Sequence, residues 1–140
     1  MNERLYETLM ERAKEARKAA YCPYSGFAVG AALLCKDGTV YTGCNIEVAA
    51  LTGNCAERTA IFKAVADGRR EFAAIAVAGG PKGQEPDALC APCGVCRQVM
   101  REFCGPDFEI LMTDGHTVHT ATLAGLLPMA FGPDNLEGGG

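Results

Sequence analysis

The chain has 140 residues, 49% of them apolar, and a formal net charge of −4. That length suits one domain with its own apolar core, and no apolar run reaches the roughly 18 residues that a membrane-spanning helix needs. Its longest basic pieces, Arg17-Lys18 and Arg69-Arg70, are short and far apart, which argues against a polynucleotide partner, since that binding is carried by Lys and Arg neutralising phosphates.

Met1-Asn2-Glu3-Arg4 is charged, unlike a secretory leader, and points to a cytoplasmic protein. Residues 3–20 read as an amphipathic helix with Leu5, Leu9, Ala13, Ala16 and Ala20 near one face, ended by Pro23. Phe27 to Cys35 reads as a buried strand, Lys36-Asp37-Gly38 as a turn and Val40 to Cys44 as the hairpin partner. A loop over 45–54 leads into a helix from about Cys55 to Ala66, closed by Asp67-Gly68. Phe72 to Ala78 is the next apolar strand, and a Gly/Pro-rich loop over 79–87 follows it. Pro92 precedes a helix over 93–103, and Phe108 to Thr113 is a strand. Asp114-Gly115 reads as a turn, Thr117 to Thr120 as a further strand and Leu123 to Leu127 as a short helix. Strands alternating with helices predict a three-layer α/β/α domain over residues 1–136, around a mixed sheet of about five strands, with 137–140 as a flexible tail.

Eight cysteines form an even set, yet an adequate core and a C-x-x-C spacing favour reduced thiols over a disulfide framework. Cys35 and Cys44 lie in apolar strands and read as buried thiols. Three others stand apart, in Cys55-Ala56-Glu57 and Pro92-Cys93-Gly94-Val95-Cys96. Zinc takes tetrahedral sulfur or nitrogen ligation, and a catalytic zinc keeps one position for water. Thiolates from Cys55, Cys93 and Cys96 leave that position free, and Glu57 is near enough in the chain to handle protons on the water. A thiolate- or imidazole-ligated zinc, P-C-x-x-C and a Glu that is not a ligand form the signature of zinc deaminases.

Both groups fall at expected helix starts, where free amides and the helix dipole favour thiolate over thiol. Cys93 and Cys96, at i and i+3, share a helical face. Zn²⁺ with three thiolates sums to −1, and Arg58 and Arg97, close behind the ligands in the chain, could offset that charge by hydrogen-bonding the sulfurs. The rival readings are a structural zinc with Cys90 as fourth ligand and a redox dithiol. The first is cramped and leaves Glu57 without a role, and the second leaves Cys55 unused.

Further motifs accompany these: Tyr21-Cys22-Pro23-Tyr24-Ser25, Phe27-x-Val29-Gly30-Ala31-Ala32, Gly43-Cys44-Asn45-Ile46-Glu47, Cys55-Ala56-Glu57-Arg58-Thr59-Ala60, Pro92-Cys93-Gly94-x-Cys96-Arg97-Gln98 and Leu126-Leu127-Pro128-x-x-Phe131-Gly132-Pro133. In these motifs and their order, from about Tyr21 to Leu136, the chain resembles the small homotetrameric cytidine deaminases. The resemblance implies a cytidine deaminase-like fold and one Zn²⁺ per chain. It also implies hydrolytic deamination of cytidine and 2′-deoxycytidine to uridine and 2′-deoxyuridine, as in pyrimidine salvage.

Cys55, Cys93 and Cys96 would then be the zinc ligands. Glu57 would take the proton of the zinc-activated water, deliver it to N3 and assist departure of ammonia from C4. The resemblance assigns Phe27, Ala56, Asn45 and Glu47 to substrate binding, with the last two on the ribose hydroxyls. Phe131 would come from across a subunit interface, so that a homotetramer shares its active sites between subunits. The partner is a free nucleoside, with neither nucleic acid nor membrane. From the residues alone, Asn45 reads as a turn stabiliser, Glu47 as a surface acid, Phe27 as core, and His116 and His119 as surface residues.

One segment departs from the family pattern. Between Glu47 and Cys55 the loop Val48-Ala49-Ala50-Leu51-Thr52-Gly53-Asn54 is one residue shorter than expected, with Val48 where the family has Asn and Leu51 in place of a Tyr. A shorter, less aromatic loop predicts a wider pocket that admits base-substituted cytidines. The alternative function is a deaminase of a modified or antibiotic cytosine nucleoside, of the blasticidin S type, and retention of Asn45 and Glu47 argues for a recognised ribose.

Overall fold

The computed structural model describes residues 3–136; the tail expected at 137–140 lies outside them. Phe27–Cys35 forms β1, a run with no charged residue and with Ala31, Ala32 and Leu33 fully buried, as in a strand covered on both faces. It lies inside a sheet of five strands in the order β2-β1-β3-β4-β5, where β2 is Val40–Cys44, β3 Phe72–Pro81, β4 Glu109–Thr113 and β5 Val118–Thr122. The β3–β4 pair is parallel and the other three pairs are antiparallel, so the sheet is mixed as expected.

Helix α1 (Glu3–Ala16) covers one face, and α2 (Ala56–Ala66) with α3 (Gly94–Phe103) covers the other. The split follows the strand period of two: Ala32, Leu34, Ala74 and Ala76 pack with Leu9, Met10 and Ala13. Their neighbours Ala31, Leu33 and Ile75 pack with Ala60, Ile61, Cys96 and Met100. The expected three-layer α/β/α arrangement is the one formed. Each fully buried Leu, Ile or Met in these layers contributes about 1.5–3 kcal/mol. Two glycines let the layers close. A Cβ on Gly30 would run into the Ala13 carbonyl of α1, and one on Gly43 would sit 2.5 Å from the Ala56 carbonyl of α2. Gly43 thus seats the first turn of α2 directly on bare strand backbone.

Several boundaries differ from the expectation, among them β5, expected over 117–120 and found at Val118–Thr122, where its last residues pair with Ile110 and Glu109. The first helix ends at Ala16 and continues as a 3₁₀ turn over Arg17–Ala19. The turn carries Arg17 inward, where its guanidinium donates to the carbonyls of Ala28 (2.9 Å), Gln84 (3.0 Å) and Pro81 (3.1 Å). A buried cation needs such acceptors, and no helical spacing reveals them. Strand β3 runs past Ala78 to Pro81 because Gly79 and Gly80 pair with Val29 and Ala28; that pairing overrides their poor strand propensity. After the short α4 (Leu123–Leu126), a further turn of helix, α5 (Pro133–Leu136), was not expected, although Pro at its first position and Asp134 next to it are helix-start signals. Among the described residues no helix is long and apolar enough to cross a membrane.

Candidate active site

Cys55 caps α2 (φ −75°, ψ 155°) and Cys93 caps α3 (φ −69°, ψ 166°). Extended backbone at a cap swings the side chain off the helix and leaves the first amides without helical partners. Neither thiol is spent on capping its own helix. They meet instead: Cys55 Sγ lies 3.7 Å from Cys93 Sγ, and Cys93 Sγ donates to Cys96 Sγ at 3.5 Å. All three sulfurs fall within 4.8 Å of one another. A tetrahedral zinc with Zn–S bonds of about 2.3 Å holds its sulfurs about 3.8 Å apart, so this donor set fits the ion by both chemistry and spacing. Cys90 is not in the group; among the described residues the clustered donors are Cys55, Cys93 and Cys96. Three donors suit a catalytic rather than a structural zinc.

Charge is managed around the sulfurs. The Cys55 thiol is pushed down to about 5, first by the hydrogen bond with Cys96 and then, against its burial, by Arg58 and Cys93. Cys96 is pushed up, because its proton is shared toward Cys55 and it is itself buried. Arg58, one helical turn after Cys55, donates from Nη2 to Cys55 Sγ at 3.3 Å. Arg97 does not do the same. Its Nε donates to the Pro92 carbonyl (2.7 Å) and its Nη1 to the Leu126 carbonyl (2.8 Å), so it braces the turn that carries Cys93. A fixed guanidinium fork takes two carbonyls in one geometry, and those of Pro92 and Leu126 are the ones within reach. Glu57, in the first turn of α2, is 3% exposed. Burial pushes its carboxyl up to about 7, with the Cys55 charge adding to the effect. A carboxyl there both accepts and releases protons near neutrality.

The residues expected to meet a substrate are arranged as follows. Ala56 is fully buried as the first residue of α2. Asn45 and Glu47 both reach the 24–29 segment. Asn45 Nδ2 donates to the Phe27 carbonyl (2.8 Å) and its Oδ1 accepts from the Val29 amide (2.9 Å). Glu47 accepts from the Tyr24 and Ser25 amides (3.0 and 3.1 Å) and from the Ser25 hydroxyl (2.5 Å). They therefore also shape the loop before β1, beyond the turn and surface readings their types suggested. Phe27 is partly exposed rather than core. A Cβ on Gly79 would lie 3.0 Å from its ring and 2.6 Å from Cys90 Sγ, so ring and thiol both rest on bare β3 backbone. The Cys90 thiol is pushed up to about 11, by burial first and then by the charge of Glu57. It is a protonated neighbour of the site, a role that a C-x-x-C-x-x-C spacing does not disclose. Phe131 is 58% exposed, with its carbonyl held by Gln98 Nε2. His119 pairs with Asp114 at the β4–β5 turn, away from these groups.

Residues 3–112 match the sequence profile of the cytidine and deoxycytidylate deaminase zinc-binding region. The chain belongs to the cytidine deaminase family. A cytidine deaminase of Sporosarcina psychrophila is 49% identical over 133 residues, covering 94% of each chain. The crystal structure of a cytidine deaminase from Burkholderia pseudomallei superposes with a TM-score of 0.82 at 49% identity, covering 94% of this chain and all of that one. A blasticidin-S deaminase of Bacillus cereus is more distant, at 32% identity over 109 residues, covering 74% of this chain and 76% of that protein. The zinc-binding character of the family agrees with the Cys55, Cys93 and Cys96 cluster.

Proposed function

We propose that this chain is a zinc-dependent hydrolase that converts cytidine and 2′-deoxycytidine to uridine and 2′-deoxyuridine with release of ammonia. The observation that carries the reading is the three-sulfur cluster standing beside one buried carboxyl, Glu57. Cys55, Cys93 and Cys96 would hold one Zn²⁺, which when bound supplies a Lewis acid that makes water nucleophilic near neutral pH. Glu57 accepts one proton of the attacking water and passes it to N3 of the cytosine. It then takes the second proton and gives it to the departing amino group, so that the water oxygen stays on C4 and ammonia leaves. One carboxyl serves twice because each proton it accepts is one the product or leaving group requires. Arg58 holds the thiolate of Cys55 in place through both stages.

Recognition of the nucleoside falls to the surrounding residues. Phe27 offers a ring face to the base and Ala56 a buried backbone amide at the start of α2. Asn45 keeps one amide N–H beyond the bond to Phe27, and the Glu47 carboxylate keeps acceptor capacity beyond its three bonds, which supports ribose hydroxyls as their ligands. Phe131 reaches the nucleoside of a neighbouring copy in a homotetramer. The enzyme works in pyrimidine salvage in the cytoplasm, a reducing compartment that suits eight free thiols.

The shortened loop carries Val48 and Leu51, both exposed, and with less aromatic bulk it would admit cytidines substituted on the base. The antibiotic-nucleoside alternative is less favoured, because Glu47 is present and the blasticidin-S relative is the more distant one.

The test is direct. Zinc-loaded protein is incubated with cytidine and the conversion to uridine followed by ultraviolet absorbance. Turnover is expected, and Glu57→Gln should lower it by about 10³-fold or more while zinc stays bound. A Glu57→Gln enzyme of undiminished activity would sink the assignment of the proton shuttle, and a zinc-loaded wild type inert toward cytidine would sink the substrate.

A further inference from the structure

Helix α3 carries Cys93 at its cap, Cys96 in its first turn and, further along, Gln98 and Arg101. These lie at i and i+3, hence on one face, and both engage the segment around Phe131. Gln98 Nε2 donates to the Phe131 carbonyl at 2.6 Å. Arg101 Nη2 pairs with Asp134 Oδ1 at 2.6 Å. The Arg101 guanidinium also packs against Gly132, where a Cβ would come within 2.5 Å of Cζ and 2.7 Å of Nη1. The Gly132 amide in turn donates to Asn135 Oδ1 at 2.7 Å. Just before this clamp, Met129 turns the chain with φ 52°, a left-handed conformation unusual for a residue other than glycine. The product is a backbone held by several polar contacts beneath a ring that its own chain leaves 58% exposed.

We propose that Gln98 and Arg101 are positioning residues that hold Phe131 ready to meet the nucleoside in a neighbouring copy. The proposal rests on the reading of Phe131 given above. Fixing the backbone beforehand removes the cost of ordering it when substrate binds, and α3 then joins two sites. Its cap and first turn supply thiols to its own site, while its second and third turns aim an aromatic side chain at another.

The experiment is a double-mutant cycle on the zinc-loaded enzyme with cytidine as substrate, reading kcat and KM separately together with zinc content, melting temperature and oligomeric mass. Phe131→Ala tests the underlying reading, and Arg101→Ala and Gly132→Ala open the clamp from opposite sides. Each clamp variant should raise KM by about tenfold with kcat, zinc and mass little changed, and Arg101→Lys should recover part of the loss by keeping the Asp134 pair. The Phe131→Ala/Arg101→Ala enzyme should be no worse than Phe131→Ala alone. Additive effects, or clamp variants with wild-type KM beside a defective Phe131→Ala, overturn the clamp while leaving the role of Phe131 intact. A wild-type KM in Phe131→Ala overturns both.

Discussion

Cys96, Ala56 and Glu57 are 0%, 0% and 3% exposed in the first turns of two helices seated on the sheet, whereas Phe131, Leu51 and Met129 are 58%, 77% and 102% exposed on loops. The contrast separates two jobs. A buried carboxyl that moves a proton gains from a dry, rigid setting, where charge interactions are strong and need no reorganisation; of the three thiols Cys96 shares that burial, while Cys55 is half-buried and Cys93 exposed. Exposed apolar groups such as Phe131, Leu51 and Met129 are left free to meet a ligand or another surface. The three sulfurs lie together within one chain, whereas Phe131, Leu51 and Met129 find little cover in it.

The largest effect that could break this contrast is at its buried side. Cys96→Ser replaces a fully buried thiol with a poor zinc ligand, and the expected outcome is protein that loses its zinc on dialysis and has turnover reduced by about 10³-fold or more. Metal analysis decides; full retention of zinc would show that Cys90 can enter the cluster. Next comes Arg58→Gln, which removes the donor to Cys55 and should weaken zinc affinity or turnover by about 10–100-fold, read by competition with a chelator. Gly43→Ala forces a Cβ to within 2.5 Å of the Ala56 carbonyl. It should cost about 1–3 kcal/mol in urea unfolding and loosen the seat of Cys55, whereas an unchanged midpoint would mean that α2 gives way freely. The smallest effect belongs to the rim. Leu51→Tyr should shift preference between cytidine and its N4- or C5-substituted analogues by no more than about tenfold, without changing zinc content, and an unaltered profile would disconnect this loop from substrate choice.

Much of the thiol cluster was legible in the sequence because metal chemistry dictates both residue type and spacing. Cys93 and Cys96 are one helical turn apart, and Glu57 follows Cys55 at a short offset, so together they match the zinc-deaminase signature. The strands were legible because β1 and β3 are continuous uncharged apolar runs with turn residues beside them. What escaped was what depends on partners distant in sequence. Arg97 reaches the Leu126 carbonyl rather than a sulfur, and Arg17 turns in to three carbonyls rather than closing a longer helix. Cramped spacing argued against Cys90 as a fourth ligand, and it lies outside the cluster of Cys55, Cys93 and Cys96.

Residue types, helix starts and short offsets are local properties of the chain; they gave the layered α/β class and, matched to the zinc-deaminase signature, the candidate ligands and proton shuttle. Tertiary structure alone decided that Cys55 comes within 3.7 Å of Cys93 across 38 residues and that Arg101 grips Gly132. Those outcomes depend on how helices seat on bare glycine backbone and where long side chains find acceptors. Both are set by packing the layers together, and no local pattern encodes them.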